Sequence, residues 1–147
     1  MPKDFLNQKI VTSSCEETQK LGKRFARFLK PGDVVALFGP LGSGKTCLIQ
    51  GICKGLGVKK NVTSPCFVII NEYYGKLKIY HFDLFRLEKK EELENLGYEE
   101  YFFGEGVCLV EWAEKAEKLL PKDRIDINLK ILSEKKREIK IKKIEDK

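Results

Sequence analysis

Three observations predict an α/β fold on a mixed sheet, with central parallel strands, flanking helices and antiparallel edge hairpins. Residues 34–38 and 107–110 are short, continuous apolar runs, as expected of strands covered on both faces. A helical stripe and a glycine-rich strand-to-helix turn interleave with them, which is the α/β pattern. Residues 125–131 and 138–142 alternate apolar and polar side chains, the signature of a hairpin with one wet face.

Taken in chain order, residues 10–12 read as a short strand. Ser14 and Glu17 then have capping-box spacing for a helix whose buried stripe is Leu21, Phe25, Phe28 and Leu29. Pro31-Gly32 ends that helix, strand 34–38 follows, and the second helix stops near Gly55 and Gly57. Segments 68–74 and 77–82 are β-rich around Gly75 and read as a hairpin. Residues 88–96 and 113–120 read as helices on either side of strand 107–110, the second closed by Pro121.

The 147 residues show no linker or repeat, so a single domain, 1–147, is expected. No apolar run reaches the roughly 18 residues of a membrane helix, and the first five residues lack the apolar core of a signal peptide. A cytoplasmic protein with no membrane association is therefore expected. Cys15, Cys47, Cys53, Cys66 and Cys108 are odd in number and lack a Cys-x-x-Cys pair, so they are read as small buried apolar residues rather than as a disulfide framework or zinc site. The net charge of +6 falls in three blocks. Residues 1–82 carry 13 basic against 5 acidic groups, residues 83–117 carry 4 against 11, and residues 118–147 carry 11 against 6. Solvated faces account for such blocks, and so would a basic surface for a polyanion and an acidic one for a partner.

Gly39-Pro40-Leu41-Gly42-Ser43-Gly44-Lys45-Thr46 fits G-x-x-x-x-G-K-[ST] between a predicted strand and a predicted helix. This makes the fold P-loop NTPase-like. Backbone N–H groups of Gly39, Leu41, Gly42, Ser43 and Gly44 would turn around phosphate oxygens, with the helix amino end adding its positive potential. Lys45 would reach the β- and γ-phosphates and the Thr46 hydroxyl would ligate Mg²⁺. Magnesium asks for a further hard oxygen, and two carboxylates end apolar strands: Asp83 and Glu111, the latter in Walker B form. Asp83, Glu111 and Lys45 are the candidate catalytic groups, and Thr46 with Glu111 the candidate metal ligands. The single histidine, His81, is read as a satisfied structural residue. The absence of an Asn-Lys-x-Asp segment favours ATP over GTP.

The ordered set of motifs resembles the TsaE (YjeE) family. It comprises the loop at Gly39 to Thr46, Thr63-Ser64-Pro65-Cys66-Phe67 leading to Asn71-Glu72-Tyr73, His81-x-Asp83-Leu84-x-Arg86-Leu87, Leu96-Gly97-Tyr98-Glu99-Glu100-Tyr101 and Leu109-Val110-Glu111-Trp112. The resemblance implies an ATPase that acts with TsaB and TsaD. Those proteins attach a threonylcarbamoyl group to N6 of the anticodon-adjacent adenosine in tRNA, and ATP hydrolysis resets the complex. It further implies that tRNA is met through the complex, that Asp83 belongs to a switch-like loop and that Trp112 lies beside the nucleotide. Base contacts are expected from Thr12 or Ser13 and from Arg137, and a monomer is expected. Two departures from the family pattern are Cys66 where Thr is usual and Phe85 where Tyr is usual.

Two other function classes share these features. A small P-loop kinase would need an acceptor pocket and an arginine-bearing lid, for which only Arg86 and Arg137 stand as candidates. A nucleotide-dependent RNA-binding switch would use the basic terminal strands, but no aromatic residues interleave there for base stacking.

Overall fold

Seven strands form one mixed sheet in the computed structural model, which describes residues 5–62 and 69–145. In chain order the elements are β1 (Lys9–Thr12), α1 (Cys15–Phe25), β2 (Val34–Phe38), α2 (Lys45–Gly55), β3 (Ile70–Tyr74), β4 (Lys78–Asp83), α3 (Lys90–Asn95), α4 (Tyr98–Phe102), β5 (Val107–Glu111), β6 (Arg124–Ile131) and β7 (Arg137–Ile144). The sheet order is β1-β7-β6-β2-β5-β4-β3, with β6, β2, β5 and β4 parallel and the pairs at either edge antiparallel. The predicted mixed sheet with parallel centre and antiparallel edges is thus the observed one. The carboxyl ends of β2, β4, β5 and β6 share one rim with the end of β1 and the start of β7.

Pleating divides the core in two, because successive side chains of a strand point to opposite faces. Val35, Leu37, Leu109, Ile127, Ile139 and Ile141 pack under α1 and α2, whereas Val34, Ala36, Cys108 and Val110 pack under the segments from Leu84 to Leu120. Helix α1 begins where Ser14 Oγ accepts from the Glu17 N–H at 3.0 Å, while the Glu17 carboxylate accepts from the N–H of Ser13, one residue before the usual position of a capping box. Helices α1 and α2 cross at backbone contact. A Cβ on Gly22 would lie 2.5 Å from the Leu48 carbonyl oxygen, and one on Gly51 would lie 2.1 Å from that of Gln19.

Three expectations need correction. Cys15 and Cys47 form a disulfide with Cα atoms 5.5 Å apart, because the crossing of α1 and α2 brings together residues 32 apart in sequence. Cys53 and Cys108 are buried thiols as expected, and burial pushes each up to about 12. The helix expected at 113–120 is a 3-10 run, Ala113–Leu119, entered from left-handed Trp112 and broken at Ala116. Helix α3 starts two residues later than predicted. Its N-cap residue is Lys89, and Glu92, in the first turn, reaches back so that its Oε2 accepts from the N–H groups of Glu88 at 2.9 Å and Lys89 at 3.1 Å. Among the described residues no helix is long and apolar enough to cross a membrane. The segment Thr63 to Phe67, with the Cys66 departure, lies outside the described residues, as does the start of the first predicted hairpin at Val68.

Candidate functional site

The turn from β2 into α2 supplies the loop. Gly44 stands at φ 100°, a left-handed conformation that L side chains rarely adopt, and the α2 first turn opens directly on Lys45 and Thr46. A Cβ on Gly39 would lie 2.7 Å from both the Leu129 carbonyl oxygen and Ser43 Oγ, so only glycine lets the loop fold against β6. Ser43 is buried with a hydroxyl that has no hydrogen-bond partner among the described residues. Lys45 is likewise buried, 5% exposed, its ammonium donating to the Gly39 carbonyl and lying 3.3 Å from the centre of the Trp112 ring. Burial holds its pKa below the usual lysine value, against the pull of Glu114, Glu111 and Asp83.

The acids come from neighbouring strands. Parallel pairing of β4 with β5 sets Asp83 opposite Glu111, and the pleat turns both to the side where α2 packs, together with His81. Asp83 is raised above the ordinary carboxylate range, first by burial and then by the charge of Glu111, although the Phe85 N–H donates to its Oδ1 at 3.1 Å and opposes the shift. Glu111, 3% exposed, lies 2.6 Å from His81 Nε2. His81 is therefore only half satisfied, contrary to expectation: its Nδ1 is buried and has no partner among the described residues.

Trp112 and Phe85 close the outer side, with ring centres 5.0 Å apart, and the Lys115 ammonium donates to the Phe85 carbonyl. From the far side, Arg137 at the start of β7 donates from Nε to the Gly42 carbonyl at 3.0 Å and from Nη1 to carbonyls of the β6–β7 turn. Thr12 is its register partner on β1, but the Thr12 hydroxyl is buried against that of Thr18 at 2.7 Å. Lys45, Asp83, Glu111 and Trp112 are thus brought together, and Arg137 braces the loop through its backbone. Sequence reasoning missed Glu114 and Lys115, three and four residues after the end of β5. The only available signal was that the turn after Trp112 carries both charges.

The donor set fits a nucleotide with magnesium. A buried amine, an orphaned hydroxyl and glycine backbone suit phosphate oxygens. One threonine hydroxyl with one or two carboxylates suits a cation that keeps several waters and takes its other oxygens from phosphate. Among the described residues no three His, Cys, Asp or Glu side chains form a cation cage, so the site offers no all-protein metal centre.

Comparison with known proteins gives the family. Residues 12–139 match the family model described as "Threonylcarbamoyl adenosine biosynthesis protein TsaE". A Bacillus subtilis protein named tRNA threonylcarbamoyladenosine biosynthesis protein TsaE is 49% identical over 129 residues, covering 87% of this chain and 80% of the relative. A Treponema pallidum protein of the same name is 38% identical over 133 residues, covering 90% and 98%. The crystal structure of Bacillus subtilis YdiB superposes with a TM-score of 0.79 at 42% identity, covering 94% of this chain and 86% of that one. With the phosphate-type loop and the paired strand-end acids both inside residues 12–139, the chain belongs to the TsaE family.

Proposed function

We propose that this protein serves the threonylcarbamoylation of tRNA at N6 of the anticodon-adjacent adenosine. It would do so as a magnesium-dependent ATP-binding and hydrolysing component that acts on a TsaB–TsaD complex and meets tRNA through it. The observation that carries the reading is the convergence of Lys45 and the partnerless Ser43 hydroxyl with Asp83 and Glu111 at one rim of the sheet.

Lys45 would leave the Gly39 carbonyl and the Trp112 face for phosphate oxygens, exchanging a neutral acceptor for charged ones. Thr46 and Glu111 would hold magnesium, which would supply positive charge against the phosphates. Glu111 would orient the attacking water, with His81 fixing its carboxylate, and Asp83 would respond to the ligand at the head of the segment leading to Phe85 and Arg86. Arg137, spent on loop carbonyls, is not available to neutralise charge on the terminal phosphate. Isolated turnover is accordingly slow, and a partner-supplied or partner-ordered group would be worth about 10³ to 10⁵ in rate.

Steady-state phosphate release, with and without TsaB and TsaD and with magnesium chelated, tests the reading. Expected are slow release alone, a rise with both partners and loss on chelation. Fast transfer to a nucleoside acceptor with no partner effect would favour the kinase instead. Reversal of Glu91 and Glu94 tests the acidic block as a partner surface. Glu92 is left intact because it caps α3.

A further inference from the structure

The four described cysteines fall into two classes. Cys53 and Cys108 are buried, and burial holds them as thiols. Cys15, exposed, and Cys47, half-buried, are bonded to each other across the α1–α2 crossing. Each stands in the first turn of its helix. Cys15 is the sulfur that solvent reaches, and the more enclosed Cys47 is the one that departs. Packing does not need the bond, because Gly22 and Gly51 already bring the two helices to backbone contact.

We propose that Cys15 and Cys47 form a thiol–disulfide exchange site for a dithiol reductant, and that its oxidation state sets the nucleotide affinity of the adjoining loop. A thiolate of the dithiol attacks Cys15 Sγ, the Cys15–Cys47 bond breaks, and Cys47 departs as a thiolate that takes a proton from solvent. The reagent's second thiol, deprotonated in turn, attacks its own mixed-disulfide sulfur. Cys15 is released to take up a proton, and the reagent leaves as its internal disulfide. Two electrons have passed to the protein, and a reagent disulfide reverses the sequence.

Coupling to the loop follows from position. Cys47 shares the first turn of α2 with Lys45 and Thr46. Cys15 follows directly on the Thr12-to-Ser14 segment, whose Thr12 pairs with Arg137, the residue that braces Gly42. The bond fastens these two walls together, and its reduction gives up that preorganisation. The affinity claim rests on the nucleotide reading proposed above; the exchange itself does not.

The test equilibrates the protein with dithiothreitol or its oxidised form, alkylates with iodoacetamide and maps the labels by mass spectrometry. ATP affinity of both forms, and of Cys15→Ser and Cys47→Ser, is measured by calorimetry. Expected is labelling of Cys15 and Cys47 only after reduction, with protection restored on reoxidation. The reduced form should bind ATP about threefold to tenfold more weakly, and both serine variants should show that weaker affinity in either buffer. Labelling of both residues in the oxidised protein, or equal affinity of the two forms, would overturn the proposal. If neither form binds ATP, the nucleotide reading and the affinity claim fall together, and the labelling pattern alone decides the exchange site.

Discussion

The two faces of the sheet are built differently. One is covered by α1 and α2, eleven residues each, crossing so closely that glycine is required at the contact. The other is covered by α3, six residues, α4, five residues, and a broken 3-10 run of seven. The phosphate-type loop springs from the first face, while the segments that carry Phe85, Trp112, Glu114 and Lys115 belong to the second. A stiff face that holds the loop in one shape thus meets a face of short pieces, whose low local stability suits segments that must move when a ligand or partner arrives.

The largest effect should come from breaking the stiff face. Gly51→Ala drives a methyl group into the Gln19 backbone and should cost about 3 kcal/mol or more in chemical denaturation, since neither helix can withdraw without uncovering its stripe. Gly97→Ala on the soft face meets no atom within 4 Å and carries only the penalty of φ 70°, about 1 kcal/mol. Similar losses from the two substitutions would erase the distinction.

Lys45→Ala comes next. It should weaken ATP binding by about a hundredfold or more in calorimetry, because the charge-assisted contact has no substitute in the loop. Stability should not fall, since the native site holds this buried ammonium at a cost that shows in its lowered pKa. Wild-type affinity in this variant would remove the loop from the site.

Glu111→Gln should keep nucleotide binding and slow hydrolysis by about tenfold or more, as loss of a positioned carboxylate does. If Asp83→Asn stalls turnover and Glu111→Gln does not, the roles of the two acids are exchanged.

The smallest effect is on pH-dependent stability without ligand. Because burial raises Asp83, the folded state prefers it protonated. Its contribution is full below the ordinary value of 3.8 and is lost as pH rises through the higher native value. Asp83→Asn should therefore gain stability over wild type near neutral pH and match it in acid. Urea denaturation of both proteins across that range decides the sign.

What the sequence could show was local. The loop at Gly39 to Thr46 is a contiguous motif whose flanking strand and helix are themselves legible, and the alternation of Ile125, Ile127 and Leu129 marks its hairpin without any partner. What it could not show depends on register and crossing. The His81–Glu111 contact needs the parallel pairing of β4 and β5, and the Cys15–Cys47 bond needs the geometry that Gly22 and Gly51 permit. In the sequence Glu92 is one charge of the 83–117 block, whereas in the fold its carboxylate is occupied in capping the amino end of its own helix. The site assignments for Thr12 and Arg137 came from resemblance alone, and only the structure reveals that one hydroxyl turns inward and one guanidinium grips backbone.

The pairing of β1 with β7 bears on how the chain matures during synthesis. Strand β1 finds its sheet partner only in β7, across more than a hundred intervening residues. Long-range pairing of this kind is slow to form and leaves an unpaired edge waiting. Arg137 arrives with β7, so Gly42 is gripped only once synthesis has passed residue 137. A nascent chain arrested before residue 137 would carry the complete Gly39-to-Thr46 motif yet lack its brace, so the loop's final shape waits on the synthesis of β7.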